Sequence, residues 1–136
     1  MTVFRYKEQH QSYPGRVHGG MITAMLDEMG LRSLWAKELS EETFGVTISL
    51  DTKYRKPVPY ETELIGRGVV VKNTSHFIIT DSYIMDKDGE ILANGRIKYI
   101  KMDTQKIQEG VEVHEEMPYL VEDGRTEIEG PFFDNL

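Results

Sequence analysis

Residues 13–35 read YPGRVHGGMITAMLDEMGLRSLW, and this stretch decides the fold. After two consecutive glycines, apolar residues recur at helical spacing with no proline and few β-branched residues among them. The apolar positions are Met21, Ile22, Met25, Leu26, Met29, Leu34 and Trp35. We therefore predict one helix over residues 20–37, about 25 Å long. Most of its circumference is apolar through the middle turns, which indicates a helix covered by other structure.

Alternating patterns on both sides of this helix predict β-strands. Residues 1–7 alternate enough for a short first strand, which ends at turn residues 11–15. Four longer strands are predicted at 46–55, 61–72, 77–85 and 91–102. In the first of these four, one face holds Val46, Ile48, Leu50, Thr52 and Tyr54, and the other holds Thr47, Ser49, Asp51, Lys53 and Arg55. That alternation is typical of a strand with one buried face.

The connections between the four longer strands are short and carry turn signals. These signals are Pro57–Pro59, Asn73–Ser75 and Asp86–Gly89. Short connections favour antiparallel neighbours, so we expect a four-stranded meander. An antiparallel sheet curled around one central helix would bury both the apolar sheet face and the helix. The sequence therefore predicts an α+β fold.

The composition limits the classes of protein that the chain can belong to. Its 136 residues fit a single domain, 1–136, with an acidic C-terminal tail at 103–136 that holds ten acidic and two basic residues. The net charge of −7 argues against nucleic-acid binding. The chain has no cysteine, no apolar run long enough to cross a membrane, and no signal-peptide character at its start. We expect a cytoplasmic protein without a disulfide or a Cys-ligated metal.

The paired glycines and one acid at the start of the helix are candidates for chemistry. Gly19 and Gly20 let a ligand approach backbone N–H groups that lack helical partners, and such groups stabilise a developing oxyanion. Asp27 lies two turns further along and shares one helical face with Thr23. A partly desolvated carboxylate there could act as a base or a nucleophile. A tight turn and a solvated acid explain the same residues, so both interpretations stay open.

A longer set of residues resembles one known family. Residues 18–20 read HGG at the opening of the helix, and Asp27 follows His18 by nine residues. Downstream come GVTISL at 45–50, YRKPVP at 54–59 and GEILANG at 89–95. In this order the segments resemble the hotdog-fold acyl-CoA thioesterases of the phenylacetate-pathway type, over roughly residues 12–102. The resemblance implies a hotdog fold, a homodimer that is often a dimer of dimers, and an active site formed between two protomers.

The same resemblance implies a role for each matching residue. Asp27 corresponds to the catalytic acid, which activates water or attacks the thioester, and Gly19, with Gly20 beside it, corresponds to the glycine whose N–H polarises the carbonyl. His18 corresponds to the motif histidine that supports the loop. Thr47 corresponds to a residue that helps to hold the water and reaches the site from the partner protomer. Ser12 stands where several members have an Asn or Gln that assists the carbonyl.

Four basic residues are candidates for binding the phosphates of coenzyme A. They are Arg16, Lys53, Arg55 and Lys56. A solvated strand face explains the last three equally well. The histidines His10, His76 and His114 have no metal-ligand spacing, and no dinucleotide fingerprint is present. We expect neither a metal nor an organic cofactor.

We therefore interpret the chain as a thioesterase that hydrolyses an acyl-CoA to the free acid and coenzyme A. Two other functions remain open. The first is a hotdog enoyl-CoA hydratase or dehydratase, which Pro14-Gly15 weakly suggests, although such enzymes need a histidine upstream of that pair. The second is a non-catalytic protein that binds acyl-CoA. Incubation with an enoyl-CoA distinguishes a hydratase from a thioesterase. Binding of acyl-CoA without product formation identifies the non-catalytic protein.

Overall fold

One helix, α1, runs from Gly19 to Trp35 in the computed structural model, which describes residues 1–35 and 43–103. The predicted helix is confirmed, and its expected last residues, 36 and 37, lie outside the described part. The buried positions form one face with a helical period, namely Ile22, Leu26, Met29, Gly30 and Leu34. On another side Met21 is 38% exposed. The described residues of one chain therefore cover one face of the helix and leave Met21 on another side exposed.

Five strands form one antiparallel sheet, and α1 packs against it. The strands are β1 Thr2–Phe4, β2 Thr43–Tyr54, β3 Leu64–Asn73, β4 Phe77–Met85 and β5 Ile91–Asp103. A short 3-10 helix, Glu8–His10, follows β1, which is shorter than predicted. The order across the sheet is β1-β3-β4-β5-β2. The predicted α+β hotdog architecture is confirmed. The acidic tail, apart from its first residue, lies outside the described residues.

Two of the three predicted turns, at 73–75 and 86–89, are hairpin turns in the structure. Between β4 and β5, the Asp86 carboxylate accepts the N–H of Glu90 at 2.8 Å, and Gly89 adopts a φ of +81°. Between β3 and β4, the Thr74 hydroxyl oxygen accepts the N–H of Phe77 at 3.0 Å. In both turns a short polar side chain accepts a backbone N–H of the turn. Residues with such side chains are typical of turns, so the sequence could predict both.

The predicted meander is wrong for β2, which pairs with β5 at the far edge of the sheet and not with β3. Nine residues connect β2 to β3, and Pro57 and Pro59 among them have no N–H to donate to a ladder. The Lys56 N–H instead bonds the Leu92 carbonyl at 3.0 Å, and Val58 is only 1% exposed. The connection is therefore a packed crossover that fills the core.

A β-bulge in β2 corrects the predicted faces of this strand. Thr47 pairs with Tyr99 and Ser49 pairs with Lys98, so Ile48 is an extra residue without a partner. A bulge shifts the alternation by one residue. Thr47 was predicted on the face opposite Tyr54, but the bulge turns its side chain toward α1.

The predicted buried face of β2 is also wrong for the upper part of the strand within one chain. Val46 is 41% exposed and Ile48 is 53% exposed. The physical reason is the bulge, which turns Thr47 toward α1 and so leaves Val46 on the opposite face, in a strand at the edge of the described sheet. Further along, Leu50 packs against the core and belongs to the buried side.

Close contact between α1 and β3 requires glycine at position 68. A Cβ atom added at Gly68 would overlap the backbone carbonyl oxygen of Met29, which cannot move without displacing the helix. Gly95 on β5 is a matched contrast, because a Cβ there would stand 3.4 Å from the Asp51 oxygen and 3.5 Å from Leu26 Cδ1. Both of these distances are ordinary packing contacts.

We expect Gly68→Ala to lower the free energy of unfolding by about 3 kcal/mol, since the overlap forces the helix away from the sheet. Gly95→Ala should change it by less than about 0.5 kcal/mol. Urea denaturation of the two variants beside the parent chain measures both values. Equal stability of the two variants would contradict the close helix–sheet contact.

Candidate active site

A small hairpin loop, residues 11–17, positions His18 at the start of α1. Gln11 and Val17 form an antiparallel bridge, and the Ser12 N–H bonds the Arg16 carbonyl at 3.0 Å. Gly15 adopts a φ of +79°, which glycine tolerates without strain. Ser12 and Arg16, both predicted to bind substrate, therefore lie side by side on an exposed loop directly ahead of the helix.

His18 caps the first turn of α1. Its Nδ1 accepts the Gly20 N–H at 2.9 Å, and its carbonyl accepts the Met21 N–H at 3.0 Å. A backbone N–H can only donate, so Nδ1 is unprotonated and the neutral ring carries its proton on Nε2. The imidazole is exposed, so its Nε2–H remains a donor that faces solvent.

The two glycines of the motif have different roles in the structure. The Gly20 N–H is already bound to His18, whereas no described residue accepts a hydrogen bond from the Gly19 N–H. The sequence suggested a pair of donors for a carbonyl oxygen. The geometry leaves one free donor, Gly19, at the positive end of the helix dipole.

The predicted acid and the predicted hydroxyl meet directly. The Thr47 hydroxyl lies 2.9 Å from one carboxylate oxygen of Asp27 and 3.1 Å from the other. Asp27 is partly buried. The contact is made within one chain, and the bulge in β2 makes it possible. This bond fixes the direction of the Asp27 carboxylate.

A buried tyrosine anchors the backbone of the acid. The Tyr99 hydroxyl donates to the main-chain carbonyl of Asp27 at 2.7 Å, and Tyr99 is 1% exposed. Burial, and then the negative charge of Asp27, raise the pKa of the Tyr99 phenol, so it stays a donor at neutral pH. Sequence analysis missed this residue, because an inward tyrosine on a strand is indistinguishable from ordinary core.

A second tyrosine, also missed, contacts the first turn of the helix. The Tyr54 hydroxyl donates to the Gly19 carbonyl at 3.0 Å and lies 2.7 Å from the Thr23 hydroxyl. Thr23 also bonds the Thr52 hydroxyl at 3.3 Å. The one sequence signal for Tyr54 was its position on the face of β2 that was predicted to point inward. The side of α1 that faces β2 therefore carries Gly19, Thr23 and Asp27 in a row, each in contact with a strand hydroxyl.

Gly19 and Asp27 are too far apart to act together in one chain. They are separated by eight residues on the same helix, which corresponds to about 12 Å along its axis. A thioester carbonyl held at the Gly19 N–H is therefore out of reach of the Asp27 carboxylate of the same chain, since reacting groups need to be about 3 Å apart.

The described side-chain surroundings of three predicted phosphate-binding residues are in the sheet and its turns. Lys53 lines a cleft of about 270 Å³ with Asp81 and Arg96. Arg55 Nε donates to the Asn94 amide oxygen at 2.6 Å, and Lys56 forms an ion pair with Glu90. The structure brings together His18, Gly19, Gly20 and, at the other end of the row, Asp27 and Thr47. Among the predicted basic residues, Arg16 lies on the same loop as His18.

The described residues contain no group of three or more His, Asp or Glu side chains placed to hold a metal ion. Within the same residues, no helix is both long enough and apolar enough to cross a membrane.

Comparison with known proteins bears on the fold and the family of the chain. No curated protein matches the chain. Among solved structures, the chain is similar to a Bacillus halodurans protein solved with CoA, at 21% identity, a TM-score of 0.65, and coverage of 74% of this chain and 69% of that chain. It is similar to thioesterase superfamily member 2 from Mus musculus, at 20% identity and a TM-score of 0.62, with coverage of 72% and 76%.

A third similar structure is a hypothetical thioesterase from Streptococcus pneumoniae solved with coenzyme A, at 18% identity and a TM-score of 0.64, with coverage of 74% and 76%. At these identities the three likenesses establish the fold. The family model described as the thioesterase superfamily matches residues 14–93, which are more than half of the sequence and include His18, Gly19, Asp27 and Thr47. The chain belongs to the thioesterase superfamily.

Proposed function

We propose that the protein is an acyl-CoA thioesterase, which hydrolyses an acyl-CoA thioester to the free acid and coenzyme A. The observation that carries the proposal is that the same chain offers both a free Gly19 N–H and an Asp27 carboxylate that Thr47 orients. Family membership supports the reaction class. Two similar structures were solved with coenzyme A, which supports this form of thioester.

In the proposed reaction the thioester oxygen accepts a hydrogen bond from the Gly19 N–H, which stabilises the negative charge that develops on it. Asp27 acts in one of two ways. As a general base it takes a proton from the water that attacks the carbonyl carbon, and it returns this proton to the departing thiolate. As a nucleophile it displaces the thiolate and forms a mixed anhydride, which water then cleaves. Thr47 orients the carboxylate in both routes.

The distance of about 12 Å between Gly19 and Asp27 supports an active site shared by two protomers. Each site would take Gly19 from one chain and Asp27 with Thr47 from the other. Among the described strands none pairs with the outer edge of β2, and Val46 and Ile48 are exposed beside it. We propose that this edge and the open side of α1 form a homodimer, and that two dimers associate further, as the resemblance implies.

Substrate binding would use the exposed loop ahead of the helix. Arg16 and Ser12 are exposed beside His18, where a phosphate or the pantetheine arm could reach them. Lys53, Arg55 and Lys56 remain predictions for this role, because their described contacts are with other residues of the chain. The cytoplasmic location and the independence of metals and cofactors also stay predictions.

Release of thiol from a panel of thioesters tests the proposed function. We expect release, detected with a chromogenic disulfide reagent, from at least one of acetyl-, hexanoyl-, decanoyl-, phenylacetyl- and benzoyl-CoA. Loss of the enoyl-thioester absorbance from crotonyl-CoA without thiol release would instead establish the hydratase alternative. Calorimetric binding of these thioesters with no product at all would establish the non-catalytic alternative.

A further inference from the structure

Tyr54 and His18 hold the same peptide group from opposite sides. The peptide that joins Gly19 to Gly20 has its carbonyl bonded to the Tyr54 hydroxyl at 3.0 Å and its N–H bonded to His18 Nδ1 at 2.9 Å. The Tyr54 ring also lies against Gly19, because a Cβ added there would stand 3.3 Å from the phenol oxygen. Both polar groups of this peptide are therefore fixed by side chains.

Such fixing matters at this position more than elsewhere in the helix. Two consecutive glycines have the largest backbone freedom of any dipeptide, and the first turn lacks the N–H partners that hold a helix interior. A donor acts on a developing oxyanion only if its direction is set before the reaction. The free Gly19 N–H belongs to the preceding peptide, which joins His18 to Gly19, and the two peptides meet at the Gly19 Cα atom. Fixing the Gly19–Gly20 peptide therefore limits rotation about the backbone bonds of Gly19, on which the direction of this N–H depends.

We propose that Tyr54 is a positioning residue of the active site, which orients the Gly19 N–H through its hydrogen bond to the Gly19 carbonyl. Thr23 supports this role, because its hydroxyl lies 2.7 Å from the phenol oxygen and bonds Thr52 as well. Tyr54 is 55% exposed even with these contacts. This inference rests on the proposed thioesterase activity.

The variant Tyr54→Phe removes the hydroxyl and keeps the ring. We expect kcat to fall about ten-fold while KM changes less than about two-fold, because substrate still binds but the donor is misdirected. Tyr83→Phe, which removes a phenol from the sheet face away from α1, is the matched control and should keep both parameters. Melting temperature and sedimentation should match the parent chain for both variants.

A spectroscopic measurement separates positioning from a structural role. In an Asp27→Asn background, bound benzoyl-CoA should show its thioester carbonyl stretch at lower wavenumber than in water, since the Gly19 N–H polarises it. Adding Tyr54→Phe should reduce this shift, and adding Tyr83→Phe should not. An unchanged kcat, or a shift equal with and without the Tyr54 hydroxyl, would overturn the proposal while leaving the thioesterase itself intact. Absence of turnover in the parent chain would contradict the proposed function instead.

Discussion

Replacement of Asp27 by Asn is expected to reduce kcat for thioester hydrolysis about a thousand-fold, because the amide can neither accept a proton from water nor attack the carbonyl. The fold should be unaffected. The side chain is partly buried but makes its described bond through the Thr47 hydroxyl, which can donate to the Asn oxygen in the same geometry. The Tyr99 anchor is bonded to the main-chain carbonyl, which the substitution does not alter.

The neighbouring acid supplies the matched control for this variant. Glu28 follows Asp27 directly and pairs with Arg32 one turn along the helix. Glu28→Gln removes the same charge from the same helix, so it reproduces any general electrostatic effect without touching the row of contacts with β2. Steady-state thiol release from both variants, with circular dichroism to check folding, measures the contrast. An Asp27→Asn chain that retains turnover within ten-fold of the parent would eliminate Asp27 as base or nucleophile.

Replacement of Gly19 by Pro is expected to reduce kcat about a hundred-fold, because proline has no N–H with which to polarise the carbonyl. Proline is well tolerated at the first position of a helix, where its fixed φ matches the helix and the lost N–H has no helical partner. The variant therefore removes one donor and leaves α1 in place. Melting temperature should fall little, since only the contact with Tyr54 is tightened.

The two inactive variants together test the shared active site. If Gly19 of one protomer works with Asp27 of the other, a dimer of one Gly19→Pro chain and one Asp27→Asn chain has one complete site. Random pairing after co-expression should then restore about a quarter of the parent activity, since half of the dimers are mixed and half of their sites are complete. Either variant alone should stay inactive. Failure of the mixture to recover activity would contradict a site built from two chains.

Local pattern was sufficient for the elements of the fold. The helix, the two tight turns and the positions of the longer strands follow from the spacing of apolar residues and from turn chemistry within a few positions. The partner of β2 did not follow, because strand pairing is a long-range choice and the Pro57–Pro59 connection reads the same in a hairpin and in a crossover. The bulge at Ile48 has no local signal either, since the residues around it alternate without interruption.

The candidate site was predicted only where its residues are close in sequence. His18, Gly19 and Asp27 are identifiable because they fall within ten consecutive residues at the start of one helix. The different roles of Gly19 and Gly20 depend on the ring position of His18, which spacing does not determine. Tyr54 and Tyr99 act through hydroxyls that reach across from strands to the helix backbone. Such contacts exist only after the sheet has folded, so no sequence period reports them.

The single extra residue in β2, Ile48, shows that matching motif residues do not by themselves place the catalytic groups correctly. Ile48 carries no functional group, yet the bulge that it forms places the Thr47 hydroxyl against the Asp27 carboxylate. A homologue that lost this one residue would keep His18, Gly19, Asp27 and Thr47 and would turn its threonine to solvent. Chains with identical catalytic signatures could therefore differ in activity through a one-residue deletion, and the length of the segment between Asp27 and Leu50 is as diagnostic of function as its letters.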